Sequence, residues 1–167
     1  FGTKLTMAMV RKRLDEEKLT GKAKLNAVEY GERIRLGKVE VEFLRVTHSI
    51  PDSAAIAIHT PNGTIVHTGD FKFDLTPTSE PPADFQRLAE LGKQGVLAII
   101  ADSTNETKPG NSKSEQEVSD TLYKLLRDAK GRVIISTFSS LLNRIQQVAD
   151  HAKQFNRKIF ISGRSME

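Results

Sequence analysis

The chain has 167 residues, and its content of 38% hydrophobic and 28% charged residues is typical of a globular protein with one domain or parts of two. It contains no cysteine, which excludes disulfides and thiolate zinc sites, so a metal ion would have to be bound by His, Asp or Glu. No apolar run is long enough to span a membrane, and a formal charge of +4 permits a nucleic acid partner without requiring one.

The first ninety residues predict a helix followed by strands that are close in sequence. Leu5 to Leu19 has the spacing of an amphipathic helix, with Leu5, Met9, Val10 and Leu14 on its apolar face. Beyond it the apolar period changes to two, and Val39 to Thr47 predicts a half-buried strand. Two further predicted strands flank a Pro-Asn-Gly turn, which is typical of a hairpin. They are Ala54 to Thr60 and Thr64 to Thr68.

From Gly95 onward the pattern alternates between strands and helices, which predicts a parallel α/β sheet. The short apolar run Val96 to Ile100 is typical of a strand buried on both faces. A capping box, Ser114 to Glu117, begins a helix that ends near Gly131. The remaining predicted elements are strand Val133 to Ile135, helix Leu141 to Phe155 and strand Lys158 to Ile161. The polar stretch 105–113 is the predicted boundary between the two regions.

Among the four histidines, only His48 occupies a place that is typical of a reactive group. It follows a predicted strand directly and begins a polar, proline-containing loop. His59 and His67 are predicted to face each other across the hairpin, and we interpret both as structural strand residues. His151 is expected at the surface of its helix, among polar neighbours.

Asp70 lies at a position equivalent to that of His48, just after another predicted strand. Gly69 before it allows the backbone to turn sharply and to approach a ligand closely. The carboxylate is either a cation ligand or a turn residue that bonds its own backbone amides, and the local residues leave both interpretations open.

A third polar group, Asp102 to Asn105, follows the predicted strand that ends at Ile100. In open α/β sheets, binding sites form beyond the carboxyl ends of strands. The hydroxyl and amide groups of Ser103, Thr104 and Asn105 suit phosphate oxygens, but these residue types also favour turns and caps. Both interpretations are retained for this group.

Three stretches of this sequence together resemble a known family: Thr47 to Ser53, His67 to Asp74 and Asp102 to Asn105. In this order and spacing they are similar to ribonuclease J, a family of metallo-β-lactamase-like nucleases with an inserted β-CASP domain. Shorter matches support the likeness: Leu91 to Leu97, Arg144 to Gln147 and Gly163 to Met166. The resemblance implies that residues 1–113 form the latter part of a metallo-β-lactamase-like αββα domain. Residues 114–167 would then begin a parallel-sheet β-CASP domain.

The resemblance also implies roles for single residues around two divalent metal ions, with zinc expected first and manganese or magnesium as alternatives. His48 corresponds to a ligand of one ion, and Asp70 corresponds to the aspartate that bridges both. Asp102 corresponds to an acidic residue that supports the site from outside the ligand shell. Candidate contacts to RNA phosphates are Ser103, Thr104 and Arg164.

The family likeness implies a cytoplasmic enzyme that forms a homo-oligomer, either a dimer or a tetramer. It also implies hydrolysis of RNA, both as a 5′-to-3′ exonuclease and as an endonuclease. The expected roles are RNA processing, including rRNA processing, and RNA decay. The family's main metal-binding motif, His-x-His-x-Asp-His, does not occur here. We therefore expect an internal segment that is inactive by itself. Leu141 also stands where the family usually has Asn. The alternatives are a hydrolase of small thioesters or lactams and a non-catalytic RNA-binding paralogue.

Overall fold

The structure is a computed structural model, and it describes residues 1–163. Arg164, one of the expected phosphate contacts, lies outside the described residues. The elements in chain order are α1 (Lys4–Glu16), β1 (Arg33–Leu36), β2 (Val39–Arg45), β3 (Ala54–Thr60), β4 (Gly63–His67), α2 (Phe85–Gln94), β5 (Val96–Ile100), α3 (Glu115–Asp128) and α4 (Leu142–Gln154).

The five strands form one mixed sheet in the order β1-β2-β3-β4-β5. The first four strands are antiparallel neighbours, as expected for short hairpin connections, and β5 is parallel to β4. The α/β class predicted from the sequence is therefore confirmed. Because β2, β4 and β5 all run in the same direction, their carboxyl ends lie at the same edge of the sheet.

A small apolar core lies between one face of the sheet and helix α2. Leu44 of β2 is paired with Ala55 of β3, and both are almost fully buried beneath Leu91 of α2. Helix α2 is capped by Asp84, whose side chain accepts a hydrogen bond from the Arg87 amide. This packing makes the central strands a rigid support for the loops at their ends.

Helix α1 forms close to where it was predicted, but its apolar side is poorly covered. None of its residues is buried, and Met9 and Val10 of the predicted apolar face are exposed. No helix among residues 1–163 is long and apolar enough to cross a membrane.

Strand β5 has the predicted bounds and the predicted parallel pairing, but the expected burial on both faces is wrong. Leu97 and Ile99 are 63% and 65% exposed. The reason is the position of β5 at the edge of the sheet, where β4 is its one partner strand within residues 1–163.

Helices α3 and α4 are confirmed, and the Ser114 side chain accepts a hydrogen bond from the Glu117 amide as the capping box predicts. The two strands predicted around α4 are not formed. The segments 133–135 and 158–161 take part in no ladder within residues 1–163, and Ile134 and Phe160 are 88% and 91% exposed. An apolar run becomes a strand only where another strand satisfies its backbone groups.

His151 does not lie at the surface as expected, because it faces helix α3. Its Nε2 atom is 3.0 Å from the Ser119 hydroxyl, and its ring packs edge-on against Tyr123. The residues next to His151 in the sequence lie on other sides of α4. Their polarity therefore did not indicate which way His151 itself faces.

Candidate metal site at the carboxyl edge of the sheet

The direction of the strands brings three of the predicted site residues to one edge of the sheet. His48 follows β2, Asp70 follows β4 and Asp102 follows β5, and these three strands are parallel to one another. Residues that are far apart in sequence therefore share one end of the sheet.

His48 and Asp70 converge within this edge. The Nε2 atom of His48 lies 3.9 Å from the Oδ2 atom of Asp70. The Asp70 side chain is 81% exposed, and that of His48 is 31% exposed. Within residues 1–163 no backbone amide donates a hydrogen bond to the Asp70 carboxylate, which the turn interpretation of this residue would require.

Gly69 gives the chain the turn that places Asp70 at the edge. Its φ is +61°, and a Cβ atom there would lie 3.0 Å from the carbonyl oxygen of Ala54, so a side chain is excluded by both conformation and space. The amide of Gly69 donates to Nδ1 of His67 at 3.0 Å. His67 therefore stabilises this turn.

Hydrogen bonds of Thr47 connect the segment that contains His48 to the segment that follows Asp70. Beyond the start of β3 at Ala54, these two segments are no longer separated by a strand, and Thr47 pairs directly with Lys72. The Thr47 hydroxyl donates to the Lys72 carbonyl at 2.6 Å and accepts from the Asp74 amide at 3.3 Å. Thr47 is 1% exposed, so water does not compete for these bonds.

Hydrogen bonds of the Thr68 hydroxyl connect the loop of Asp70 to the loop of Asp102 in a similar way. Its hydroxyl accepts from the Asp102 amide at 3.0 Å and donates to the Gly69 carbonyl at 2.7 Å. The loops after β2, β4 and β5 are therefore connected by two threonines that sequence analysis did not single out. Their position could have identified them, because Thr47 directly precedes His48 and Thr68 directly precedes Gly69.

The carboxylate of Asp102 is held in its charged form by its neighbours. The hydroxyl and the amide of Thr104 lower the pKa of Asp102 below its usual value, and the amide of Phe71 and the charge of His48 act in the same direction. The Thr104 amide bond, at 2.8 Å, is a local turn contact. The turn interpretation of the group 102–105 is thus correct, and it leaves Ser103 and Thr104 exposed beside the edge.

Asp52 anchors the other end of the His48 loop. It adopts a φ of +64°, and its carboxylate accepts hydrogen bonds from the Leu5 amide at 2.8 Å and the Tyr30 hydroxyl at 2.9 Å. It therefore caps helix α1, whose own N-cap residue, Thr3, makes no side-chain cap bond.

His59 takes no part in this edge, and the prediction that it faces His67 is wrong. Register places His59 opposite Thr64, and His67 opposite Ile56. The His59 Nε2 atom lies 2.7 Å from the buried carboxylate of Glu42, so its role is structural, as interpreted from the sequence.

The donor set at the edge fits a divalent cation. An imidazole nitrogen and a carboxylate oxygen are the ligand types that zinc and manganese accept, and both are oriented toward the same space. Two donors do not complete a coordination shell. Within the part of the chain that the structure describes, no cluster of three His, Asp or Glu side chains is arranged to hold a metal.

Comparison with known proteins relates the chain to one enzyme family. Residues 130–167 match the family model described as ribonuclease J, beta-CASP domain. The chain is 42% identical to ribonuclease J of Helicobacter pylori over 168 aligned residues, 42% identical to that of Synechocystis over 167, and 41% identical to that of Thermus thermophilus over 168. These alignments cover 99–100% of this chain and 24%, 26% and 29% of the respective relatives, so the chain spans about a quarter of their length.

A solved structure shows the same fold at low sequence identity. It is described as a protein of unknown function from Enterococcus faecalis, and it superposes with a TM-score of 0.66 at 16% identity. The match covers 89% of this chain and 38% of the other.

Proposed function

Because this chain is related to ribonuclease J throughout its length, we propose that it is a segment of a metal-dependent ribonuclease and carries part of the metal site. The observation that carries the proposal is the approach of His48 and Asp70 to within 3.9 Å at the carboxyl edge of the sheet. The substrate class that follows from the family is RNA.

In this proposal an imidazole nitrogen of His48 would hold one divalent ion, and the Asp70 carboxylate would help to hold both ions. Such a pair of ions would supply an activated water and stabilise the charge that develops at phosphorus. Asp70 offsets part of the positive charge, and the hydrogen-bonded turn at Gly69 keeps its carboxylate directed toward His48. Zinc is the first candidate, with manganese or magnesium as alternatives.

Asp102 is proposed to support the site from outside the ligand shell. Its amide is fixed by Thr68, and its negatively charged carboxylate lies close enough to His48 for the two side chains to interact electrostatically. A carboxylate in this place is suited to orienting a ligand histidine. The exposed hydroxyls of Ser103 and Thr104 are proposed phosphate contacts, together with Arg164 from the sequence.

The relationship extends the proposal to the whole protein. We assign residues 1–113 to a metallo-β-lactamase-like domain and residues 114–167 to the start of a β-CASP domain. The activity proposed is 5′-to-3′ exonuclease and endonuclease cleavage in RNA processing and decay, carried out in the cytoplasm by a homo-oligomer. By itself this chain is expected to be inactive, because His48 and Asp70 are two ligands of a larger set.

A direct assay tests this function. The full-length protein is incubated with single-stranded RNA and, separately, with a small thioester, with and without a metal chelator. The proposal is supported if the protein cleaves RNA but not the thioester, and if the chelator abolishes this cleavage and divalent metal restores it. Thioester hydrolysis without RNA cleavage supports a metallo-β-lactamase-like hydrolase. RNA binding without cleavage, in protein saturated with metal, supports the non-catalytic paralogue.

A further inference from the structure

A group of four charged residues outside the candidate metal site connects it to helices α3 and α4. The ammonium group of Lys72 lies 2.7 Å from Oε1 of Glu115 and 3.3 Å from Oδ2 of Asp74. The other carboxylate oxygen of Glu115, Oε2, lies 2.9 Å from Nη2 of Arg144. Glu115 thus binds one cation from the segment that follows Asp70 and one cation from α4.

Hydrogen bonds run in both directions between Glu115 and the 72–74 segment. The Glu115 amide, at the first turn of α3, donates to Oδ2 of Asp74 at 2.8 Å, while Lys72 next to Asp74 donates to the Glu115 side chain. A carboxylate at the start of a helix is favoured by the partial positive charge there. The backbone and the side chain of Glu115 therefore both bind the 72–74 segment.

The group is shielded from water, which gives its contacts more weight than surface ion pairs have. Asp74 is buried, and Lys72 and Glu115 are largely covered. Burial alone would raise the pKa of Glu115, but Lys72 and Arg144 outweigh it and hold the pKa below its usual value. Removing one member would leave its charged partners with fewer compensating contacts in a partly desolvated space.

The same segment is already bound to the residue before His48. Thr47 pairs with Lys72 and binds the Asp74 amide, so contacts run without interruption from the candidate ligand segments to α3 and α4. Gln147, one turn after Arg144 on α4, adds a second link by donating to the Thr78 hydroxyl at 2.7 Å.

We propose that Lys72 and Glu115 are positioning residues, which fix the segment carrying Asp70 relative to the helices that begin at Ser114. This inference rests on the proposed function. Its consequence is that helices α3 and α4 hold the segment carrying Asp70, and with it the candidate metal ligands, in a fixed position at the edge of the sheet. Neither residue contacts the reacting atoms in this proposal.

The test is a double-mutant cycle in the full-length protein, with Lys72→Met, Glu115→Gln and the double variant. The readouts are kcat and KM for single-stranded RNA, and apparent metal affinity from competition with a chelator. Each single variant is expected to lower kcat and metal affinity about 10- to 100-fold, as the loss of outer contacts to a metal site does. The effect of the double variant is expected to be smaller than the two single effects combined, because both changes break the same Lys72–Glu115 contact.

Two further variants separate positioning from a general loss of structure. Lys72→Arg keeps the charge and is expected to retain most of the activity. Arg127→Gln is the control on helix α3, because it removes only the exposed ion pair between Arg127 and Asp128. This variant is expected to match the wild type in every readout. Melting temperatures identify a variant that fails to fold, and the isosteric Glu115→Gln then serves as the deciding variant.

The outcomes distinguish this inference from the function on which it rests. If the wild type cleaves RNA and the effects of the two single variants add in the double variant, the inference is overturned and the function stands. The same holds if Glu115→Gln keeps wild-type kcat and metal affinity. If the wild type neither binds metal nor cleaves RNA, the proposed function fails and the inference fails with it.

Discussion

The Nε2 atom of His48 and the Oδ2 atom of Asp70 lie 3.9 Å apart, although the strands that precede them, β2 and β4, are separated in the sheet by β3. The approach is possible because β3 starts at Ala54, beyond which Thr47 and Lys72 pair directly. This short connection over the end of β3 is the structural basis of the candidate metal site.

Replacement of His48 by Ala is expected to lower the metal affinity of the full-length protein by more than about 100-fold, since even outer contacts of metal sites contribute 10- to 100-fold. Chelator competition followed by measurement of bound metal checks this. His151→Gln is the matched control, because His151 packs against α3 away from the edge. Equal metal affinity in the two variants would remove His48 from the site.

Gly69→Ala is expected to destabilise the protein by at least about 1–2 kcal/mol, the cost of a left-handed conformation for a residue with a Cβ atom. The new methyl group would also press on the Ala54 carbonyl oxygen. Urea denaturation of the full-length protein measures the change. Gly92→Ala in helix α2 is the control, since its Cβ meets no atom within 4 Å and should stabilise by about 0.5–1 kcal/mol. The same shift in both variants would contradict the assigned turn.

Thr47→Val keeps the shape of the side chain but removes the hydroxyl that binds the Lys72 carbonyl and the Asp74 amide. Leaving these buried groups without a partner is expected to cost about 1–3 kcal/mol and to weaken metal binding. Thr47→Ser retains the hydroxyl and should lose only about 1 kcal/mol through the missing methyl group. If Ser and Val variants behave alike in denaturation and metal binding, the hydroxyl is not what joins the two segments.

Glu42 makes the stability of the sheet sensitive to acid. Burial alone would raise the pKa of Glu42, but hydrogen bonds from Arg87 and His59 outweigh it and lower the pKa from 4.5 to about 2. Because the folded-state pKa is the lower one, this stabilisation is complete above pH 4.5 and is lost as the pH falls toward 2.

Glu42→Gln is therefore expected to destabilise the protein at pH 7 by about 3 kcal/mol, since it leaves a covered arginine without its charged partner. The difference from the wild type should shrink as the pH is lowered to about 3, because the wild type has by then lost part of the same contribution. Denaturation curves at the two pH values check this. A difference that is independent of pH would show that the charge of Glu42 is not responsible.

Local sequence patterns were sufficient for the strands of the hairpin and for the position of the candidate ligands. The Pro-Asn-Gly turn defined β3 and β4, and strand ends identified His48 and Asp70. Helix α2 was not predicted, although Asp84 followed by apolar residues at 85, 88 and 91 has the spacing of a capped helix. Strand β1 was also missed, because four residues with an exposed pattern carry little signal.

What could not be predicted depends on contacts between distant segments. No local pattern shows that the Thr47 hydroxyl binds the Lys72 carbonyl or that Glu115 binds Lys72, because these partners are brought together only by the fold. The exposed runs at 133–135 and 158–161 failed as strand predictions for the converse reason. Both runs are apolar, as the prediction required. A strand also requires a neighbouring strand to pair with, and a local sequence pattern does not specify that neighbour.

The most direct test of the central claim is Asp70→Asn in the full-length protein, with Asp128→Asn on helix α3 as a control for the loss of a surface charge. Cleavage of single-stranded RNA in the presence of divalent metal is measured together with bound metal and the melting temperature. We expect the Asp70 variant to lose metal-supported cleavage while its fold remains intact, and the Asp128 variant to match the wild type. Near-normal cleavage by the Asp70 variant with its metals still bound would contradict the assignment of Asp70 as the shared ligand.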